Sequence, residues 1–544
     1  MFLSIILRIW GGLFIKFSSA KITLFMSLFK STAIVSVFTL ISRISGFVRD
    51  MVMARFFGVS IWTDAFFVAF KIPNFMRRLF AEGSFSLAFV PVLNDIKATE
   101  SKAVLKQFID RIAGTLFAVV LIVWMLMELF APQVMSLFAY KWLSEKPEVF
   151  NESVGMLRYT LFYLPLISLV AFAGGILNAH KKFALPAATP ILLNVSLIFS
   201  AYYLRDSFAI PVKSLAIGVL IAGVMQLLIQ IPALMKLGLL PRFRLGFKDA
   251  KVKKVMKLMV PTLFGSSVAQ INLLLDTLIA TMLPIVGSVS FLYYSDRLLE
   301  FPLGVFAIAI STVILPTLSR QFAKDKKQEF INTMRWALNL GFFIAIPAAV
   351  GLGVLAQNVV VTLFQYGAFN SSSSELTALS LMAYMLALPA FVINKILLPA
   401  FYSRKDTRTP VRIGVIALFS NMVLNLLFVA VLWYFQVVAL HVGLALASAV
   451  SGWMQTIMLY KGLKRQAVIP KGVVQWTFVI KVLLASMFMA TSLFVLLMYL
   501  GQWQELLWYG RVKNLVLCIF VGLLAYLLSL YVMKIKIKNL LVLK

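Results

Sequence analysis

Long apolar runs separated by short polar segments recur along almost the whole chain. A helix that crosses a bilayer needs roughly 20 mostly apolar residues, and by that measure the runs predict about fourteen spans. No stretch between them is long enough for a separate soluble domain. The sequence therefore predicts an all-α polytopic membrane protein, with spans near residues 31–55, 60–80, 108–131, 153–178, 184–204, 211–235, 256–283, 288–316, 331–356, 374–399, 409–433, 437–462, 474–500 and 508–534.

Composition agrees with this prediction. Of the 544 residues, 61% are hydrophobic and 13% are charged, and the mean hydropathy is +0.95. An ordinary soluble domain has about 25% charged residues. A net charge of +31 would suggest nucleic-acid binding in a soluble protein. Here the lysines and arginines lie in short segments between the spans, which is the pattern that sets membrane orientation. We therefore expect no nucleic-acid partner.

The basic segments follow every even-numbered span, and the segments that follow odd-numbered spans are neutral, acidic or mixed. Loops rich in Lys and Arg stay on the cytoplasmic side of a membrane. We therefore expect both termini to lie in the cytoplasm. The basic set comprises residues 94–107, 180–182, 236–257, 320–327, 402–412 and 461–471, together with the C-terminal tail.

Several features recur about 225 residues apart, which indicates an internal repeat. Pro186 and Pro410 each open a span after a basic segment, and Asn194 and Asn421 lie at matching places in those spans. The shared offset predicts two six-helix lobes in a pseudo-twofold arrangement about an axis along the membrane normal. The predicted units are an N-terminal extension (1–30), a first lobe (31–235), a basic cytoplasmic linker (236–255), a second lobe (256–465) and two extra helices (473–536). For residues 1–25 two explanations stay open: an interfacial helix, or a non-native upstream start before Met26.

Ionisable residues inside the predicted spans are candidates for a functional site, because burying a charge in lipid is costly. Guanidinium groups match phosphate bidentately, so arginines from both lobes facing one cavity predict a diphosphate-bearing substrate. Ion pairing alone is the alternative, most of all for Arg78 and Glu82, which lie four residues apart. Gly46 is expected to interrupt the first helix. The set comprises Arg43, Arg49, Asp50, Asp64, Arg77, Arg78, Glu82, Asp276, Asp296, Arg297 and Glu300.

Asp276, Asn421 and Asn425 carry a second hypothesis. The two asparagines lie four residues apart on one helix face, and their amide oxygens with the Asp276 carboxylate would suit a sodium ion. Hydrogen bonding between helices is the alternative. A disulfide framework or a thiolate metal site has little support, because Cys518 is the only cysteine. An ATPase has little support, because no GxxxxGK[ST] phosphate loop is present. We expect a transporter rather than an enzyme, with no cofactor other than this sodium ion.

Two long segments resemble a known family. SRISGFVRDMVMARFFG (42–58) and TDAFFVAFKIPNFMRRLFAEGSFSLAFVPVL (63–93) are similar to the signature of the MurJ (MviN) lipid II flippases, within the multidrug/oligosaccharidyl-lipid/polysaccharide exporter superfamily. YYSDRLLEFPLGV (293–305), LFQYGAF (363–369) and FYSRKDTRTPV (401–411) follow in matching order. The resemblance runs from about residue 26 to the C-terminus and implies two six-helix lobes plus two helices.

The resemblance also implies a substrate and a site. The substrate would be undecaprenyl diphosphate carrying the disaccharide-pentapeptide of peptidoglycan, flipped from the cytoplasmic to the periplasmic leaflet of the bacterial inner membrane by alternating access. Membrane lipids and other cell-wall synthesis proteins would be partners, and residues 474–534 would form a groove for the lipid tail. A cation-coupled drug exporter of the same superfamily is the alternative. The implied substrate-binding residues are Arg43, Arg49, Arg77 and Arg297, and those of the cavity and gates are Ser42, Asp50, Asp64, Glu82, Ser290, Asp296 and Glu300.

Overall fold

The computed structural model describes residues 19–78, 85–470 and 472–535, and all regular structure in those ranges is helical. The first helices are α1 Ser19–Phe57, α2 Ile61–Arg77, α3 Ser86–Thr99, α4 Lys102–Leu129, α5 Ala131–Glu145, α6 Pro147–Leu161, α7 Tyr163–Ala179, α8 Ala184–Tyr203, α9 Lys213–Leu228 and α10 Ile231–Leu237. The later ones are α11 Ala250–Met282, α12 Ser288–Pro302, α13 Ile308–Ala323, α14 Lys327–Val354, α15 Ala356–Phe364, α16 Ser371–Met385, α17 Leu388–Tyr402, α18 Arg408–Tyr434, α19 Val442–Arg465, α20 Trp476–Leu500 and α21 Trp508–Val532.

Ten of these helices or continuous helix pairs are long and apolar enough to cross a membrane, and the bent pair α16–α17 makes an eleventh. They coincide with eleven of the predicted spans, so the prediction of an all-α polytopic membrane protein is confirmed. The other three predicted spans fall on α1, α2 and α11. Of these, α2 has only 17 residues. The total of fourteen stays a prediction.

Helices of the first part of the chain pack mainly on one another. α1 lies against α8, α8 against α9, and α2 against α6. Ser60 begins α2 by accepting a hydrogen bond from the amide of Thr63, which satisfies one of the free donors of a helix start. The expectation that Gly46 interrupts the first helix is wrong, because α1 runs unbroken from Ser19 to Phe57. Gly46 lies within this continuous helix and faces Asn194 on α8.

Helices of the later part form a second set of contacts. α18 packs against α19 and α11, α14 against α17, and α12 against α16. The last two helices, α20 and α21, pack on each other, and α20 lies along α14. Between the two sets, α2 meets α12, α1 meets α15, and α11 meets α3 and α5. The unit boundaries predicted from the repeat stay predictions.

The segment 238–249, which joins α10 to α11, is held against α4. Asp110 accepts a hydrogen bond from the amide of Arg242 at 2.7 Å, and Arg111 pairs with Asp249 at 2.6 Å. Asp249 also begins α11 by accepting from the amides at 251 and 252. Partial burial raises the pKa of Asp249, but the hydrogen bonds from Arg111 and these two amides outweigh it, so the net shift is downward from 3.8. This connection is therefore part of the packed structure.

Candidate functional site

A cavity of about 470 Å³ lies between the two sets of helices. The walls are formed by the middle of α1, the later turns of α2, most of α7 and the first half of α8. The last turn of α9 with its continuation and the later part of α12 complete them. These wall segments approach the end of the bundle where the basic segments 180–182 and 236–257 lie. The cavity is lined by Ser42, Arg43, Arg49, Asp50, Asn74, Arg77, Arg78, Asn178, Asn194, Gln226, Gln230, Arg297 and Glu300, among others.

Arg49 is the centre of a buried polar network that joins three helices. Its Nη2 lies 2.6 Å from Asp50 Oδ1 and 3.1 Å from the hydroxyl of Tyr293 on α12, and its Nη1 donates to Asn194 Oδ1 on α8 at 3.0 Å. Tyr293 in turn donates to Asp50 Oδ1 at 2.8 Å. Arg49 is 7% exposed and Asp50 is 2% exposed. A charge so deeply buried is stable only with its partners in place.

Arg297 approaches the same carboxylate from α12. Its Nε lies 3.7 Å from Asp50 Oδ2, and its Nη1 donates to Glu300 at 2.8 Å. The guanidinium also lies over the ring of Tyr293, 5.0 Å from the centroid, a cation–π arrangement. Asp50 therefore bridges Arg49 and Arg297, and it links a residue of α1 to a residue of α12.

Arg43 differs from these two arginines. Among the described residues its guanidinium makes neither a hydrogen bond nor an ion pair, although it lines the cavity. It packs against the backbone of Gly304, where any added Cβ would overlap it. Gly304 lies in a π-helical turn, Leu303–Ala307, that follows α12, and such turns are frequent at functional sites. Arg77 donates through Nε and Nη2 to Asn74, at 3.0 and 2.8 Å.

A smaller cavity of about 90 Å³ adjoins the first. Asp296 and Asp276 line it rather than the larger one, together with Lys71 and Tyr384. Both cavities share Arg297 and several other wall residues. The larger chamber is thus dominated by arginine, and the neighbouring chamber adds Asp276, Asp296 and Lys71 to the charged residues that the two share.

Several polar residues of the site were not predicted from the sequence, and Lys71, Asn194 and Tyr293 are the most important of them. Lys71 lies in the middle of a predicted span, and the rule that selected the arginines applies to it equally. Asn194 was noticed as part of the repeat but not as a partner of Arg49. Tyr293 gave no usable signal, because an aromatic residue inside a span is ordinary. Glu82 lies outside the described residues, so its proposed pairing with Arg78 stays a prediction.

At the opposite end of α2, Asp64 closes the bundle. Its carboxylate accepts from the amide of Gly287 at 2.9 Å and from the amide and hydroxyl of Ser290 at 2.8 and 2.5 Å. Asp64 is 4% exposed. Because these amides are at the start of α12, a carboxylate on α2 caps a helix of the later part of the chain. Asp64 and Ser290 therefore lie together, about the length of α2 away from Arg77.

Three glycines complete this closed end, and we call Gly58, Gly287 and Gly367 the glycine seam. All three have positive φ, at 57°, 96° and 58°, which favours glycine. A Cβ on Gly58 would overlap the carbonyl oxygen of Ala368, and one on Gly367 would overlap that of Arg55. The amide of Ala368 donates to the Arg55 carbonyl at 2.9 Å. Backbone therefore meets backbone where α1 ends against the loop that follows α15.

Asp276, Asn421 and Asn425 also lie together, on α11 and α18. Asn425 Nδ2 donates to Asp276 Oδ1 at 2.7 Å, and Asn421 lies 3.2 Å from the hydroxyl of Ser451. All three residues are buried. Within the described ranges Asn425 Oδ1 has no hydrogen-bond partner, although buried amide oxygens are almost always paired. The described residues hold no group of three or more His, Cys, Asp or Glu side chains suited to a metal ion.

The fold and the arginine-lined cavity define a polytopic membrane transporter, with the cavity toward one end and close helix contacts at the other. A family model described as Lipid II flippase MurJ matches residues 53–511. The chain therefore belongs to the MurJ lipid II flippase family, which confirms the resemblance seen in its sequence.

Individual relatives agree. A protein of Vibrio cholerae named "Probable lipid II flippase MurJ" is 42% identical over 526 residues, covering 96% of this chain and 99% of the relative. One of Haemophilus influenzae with the same name is 41% identical over 500 residues, covering 90% and 96%. The solved structure "Lipid II flippase MurJ, inward closed conformation" matches with a TM-score of 0.75 at 27% identity, covering 92% of this chain and 98% of that one. A multidrug MATE transporter in an inward-facing conformation matches with a TM-score of 0.61 at 13% identity, a likeness of fold alone.

Proposed function

We propose that the chain flips lipid II, undecaprenyl diphosphate carrying the disaccharide-pentapeptide, from the cytoplasmic to the periplasmic leaflet of the bacterial inner membrane. The observation that carries the proposal is the arginine-lined cavity. Five arginines line it, whereas Asp50 and Glu300 are its only carboxylates among the described residues. A chamber with this excess of fixed positive charge favours an anion, and the planar forks of arginine suit a diphosphate.

The arginines would act in different ways. Arg43 has its donors available, so it makes the first contact with the diphosphate. Arg49 and Arg297 are held by Asp50, and a phosphate that engages them competes with that carboxylate. Because Asp50 links α1 to α12, such competition loosens a contact between the two helix sets. Substrate binding and the closure of the cavity end are thereby coupled through one carboxylate.

In this proposal the cavity end faces the cytoplasm and the Asp64 end faces the periplasm, with both chain termini cytoplasmic. The two helix sets rock, so that the Asp64 contacts and the glycine seam open as the cavity end closes. Only the polar head crosses through the chamber, while the polyprenyl tail stays in lipid or along α20 and α21. The basic segments near the cavity end support this orientation.

The membrane potential supplies the driving force in this scheme. One charge moved across 100 mV changes the free energy by about 2.3 kcal/mol. With the inside negative, an anionic head moves outward downhill, and the emptied arginine chamber is drawn back inward. No nucleotide hydrolysis and no catalytic step is needed. We expect flipping in cells to fall when the potential is collapsed, and undiminished flipping would contradict this driving force.

The test of the proposed function is depletion of a cell's own flippase, followed by measurement of lipid II on each leaflet and of growth. The present chain should restore both. Arg43→Ala should abolish rescue, and Arg43→Lys should rescue poorly because a point charge lacks the fork. Thr39→Ala, at an exposed position one turn before Arg43 on α1, is the matched control and should rescue fully. Full rescue by Arg43→Ala would remove the phosphate-binding role.

A cation-coupled drug exporter is the competing function. A cationic drug needs acidic binding residues without competing arginines, and the larger cavity has the opposite balance. Cells depleted of their flippase would in that case die despite expression of this chain. Survival with a normal distribution of lipid II therefore separates the two functions in a single experiment.

We also propose a sodium ion at Asp276, Asn421 and Asn425. The unpaired Asn425 Oδ1 supports it, since a cation would satisfy that oxygen. The hydrogen bond from Asn425 to Asp276 supports the alternative, a link between α11 and α18. Sodium should raise the thermal stability of the purified protein relative to potassium, and Asp276→Asn should remove the difference. Equal stability in both salts would favour the hydrogen-bonded link.

A further inference from the structure

Arg511, in the first turn of α21, is a buried arginine that binds main-chain carbonyls instead of a carboxylate. It is 8% exposed. Its Nε donates to the carbonyl of Leu506 at 2.9 Å and its Nη2 to that of Gln504 at 2.6 Å. Its Nη1 donates to the carbonyls of Val361 and Gln365, at 3.3 and 3.0 Å. Among the described residues no acidic side chain forms an ion pair with it.

The two carbonyls at 361 and 365 lie at the C-terminal end of α15. The Val361 carbonyl also accepts from the amide of Gln365 at 3.3 Å, whereas the Gln365 carbonyl lies just past the last helical residue. Both carbonyls belong to the negative end of the helix dipole. A cation that donates to them stabilises that end. The guanidinium of Arg511 thus links the end of α15 to the short turn before α21, and each of the three guanidinium nitrogens donates to a carbonyl. Replacing Arg511 would leave the partly buried carbonyls of Gln365, Gln504 and Leu506 without this donor.

Two further contacts reinforce the same junction. The guanidinium of Arg511 lies 5.2 Å from the centre of the Tyr366 ring. Trp503, which is 6% exposed, donates from its indole nitrogen to the hydroxyl of Thr362 at 3.0 Å. The loop that these contacts fix continues directly into Gly367 of the glycine seam and into Ala368, which donates to α1.

We propose that Arg511 is a positioning residue that ties the last two helices to the closed end of the cavity. It holds the loop 365–370 in the one place where its backbone can meet the end of α1. A shift of the α20–α21 pair, such as one produced by an apolar chain lying along it, therefore changes how firmly that end closes. The inference rests on the proposed function only for the side of the membrane that this end faces.

The experiment measures opening of the closed end directly, by thiol labelling in intact cells. Cys518 is the only cysteine in the chain, so Cys518→Ala gives a background free of thiols. Ala171→Cys places a reporter in the cavity wall, and Ser372→Cys places one on the exposed start of α16. A membrane-impermeant maleimide is added outside, and labelling is normalised to the total reached after denaturation in detergent.

Arg511→Gln should raise labelling of the cavity reporter from outside by about tenfold, the change that corresponds to ~1.4 kcal/mol in the closed-to-open ratio. Arg511→Lys should lie between Gln and the parent, because an ammonium cannot reach four carbonyls at once. Lys513→Gln, an exposed position on the same helix, is the matched control and should leave labelling unchanged. Labelling of the Ser372 reporter should be fast in every variant.

Equal labelling of the Arg511 and Lys513 variants would overturn the proposal and leave Arg511 with a folding role only. If Arg511→Gln does not accumulate in the membrane, Trp503→Phe serves instead. It removes the hydrogen bond to Thr362 and keeps most of the indole volume, so it should raise labelling by a smaller factor. No rise in Trp503→Phe and Arg511→Lys would equally overturn the proposal. Because labelling requires no substrate, these outcomes leave the flippase activity as a separate question.

Discussion

The pair Arg49 and Asp50 allows a test of whether an intramembrane arginine binds substrate or only neutralises its neighbour. Arg49→Ala removes the partner of a carboxylate that is 2% exposed. Breaking a buried ion pair by removing one member costs about 3–5 kcal/mol. Asp50 keeps the Tyr293 hydroxyl at 2.8 Å and Arg297 at 3.7 Å. We therefore expect the lower end of the range, ~3 kcal/mol, or roughly a hundredfold shift toward unfolded protein.

The double variant Arg49→Ala/Asp50→Asn removes both charges. An amide is far cheaper to bury than an unpaired carboxylate, so most of the lost stability should return. Thermal unfolding of the purified protein and its amount in the membrane measure this recovery. Growth of flippase-depleted cells and the distribution of lipid II measure function in the same strains.

The expected pattern is recovery of stability without recovery of growth. It would mean that the diphosphate needs the guanidinium itself. Growth restored by the double variant would refute the reasoning, because Arg49 would then serve only as the counter-charge of Asp50. Asp50→Asn alone, which leaves Arg49 bonded to Asn194 and Tyr293, separates loss of the acid from loss of the arginine.

Other predictions concern closure and stability. Asp64→Asn should weaken the cap on α12 by about 1–2 kcal/mol and raise labelling of the cavity reporter from the periplasmic side; unchanged labelling would contradict a closing role. Gly58→Ala should raise labelling of the cavity reporter more strongly than Asp64→Asn does. Gly238→Ala is its control: this glycine has a similar φ but open space around it, so the change should cost only the backbone strain of about 1 kcal/mol. Asp249→Ala should lower stability by about 1 kcal/mol at pH 7. Asp249→Asn should lose only the part of this stability that depends on the charge of the carboxylate. The folded pKa of Asp249 lies below its unfolded value, so this loss of stability is present above pH ~4 and disappears as the pH falls further. A deficit that persists at low pH would contradict the role assigned to the carboxylate.

Sequence reasoning found the arginines because a charge inside an apolar run is costly and therefore conspicuous. The same signal selected Asp64, and the structure brings it together with Ser290. It did not reveal which charges pair, since Asp50 joins Arg49 to Arg297 only through the packing of α1 on α12. Pairing depends on contacts between helices far apart in the chain, and a single sequence does not contain them.

Arg511 shows a second limit of the sequence. It lies at the edge of the last predicted span, where an arginine ordinarily extends its charge to the membrane surface. Nothing in the neighbouring residues indicates that two of its partners are carbonyls about 150 positions earlier. The docking of 238–249 on α4 is of the same kind. It was predicted as a basic linker from its charge, but its fixed position rests on main-chain hydrogen bonds to Asp110 and Thr115.

The glycine seam has a consequence for how this protein responds to its surroundings. At Gly58 and Gly367 the contacts are made between main-chain groups that carry no net charge, so salt alters them little. Gly287 is the exception, because its amide donates to the Asp64 carboxylate. Closure at that end depends on the close fit of the two backbones, and any side chain added there weakens the contact. The chamber at the other end is lined by arginines and carboxylates, so bound ions and the membrane's electric field change its electrostatic energy. Closure of one end of the transport path therefore depends mainly on the fit of backbone against backbone, together with the contacts of the Asp64 carboxylate, whereas the other end depends mainly on charge.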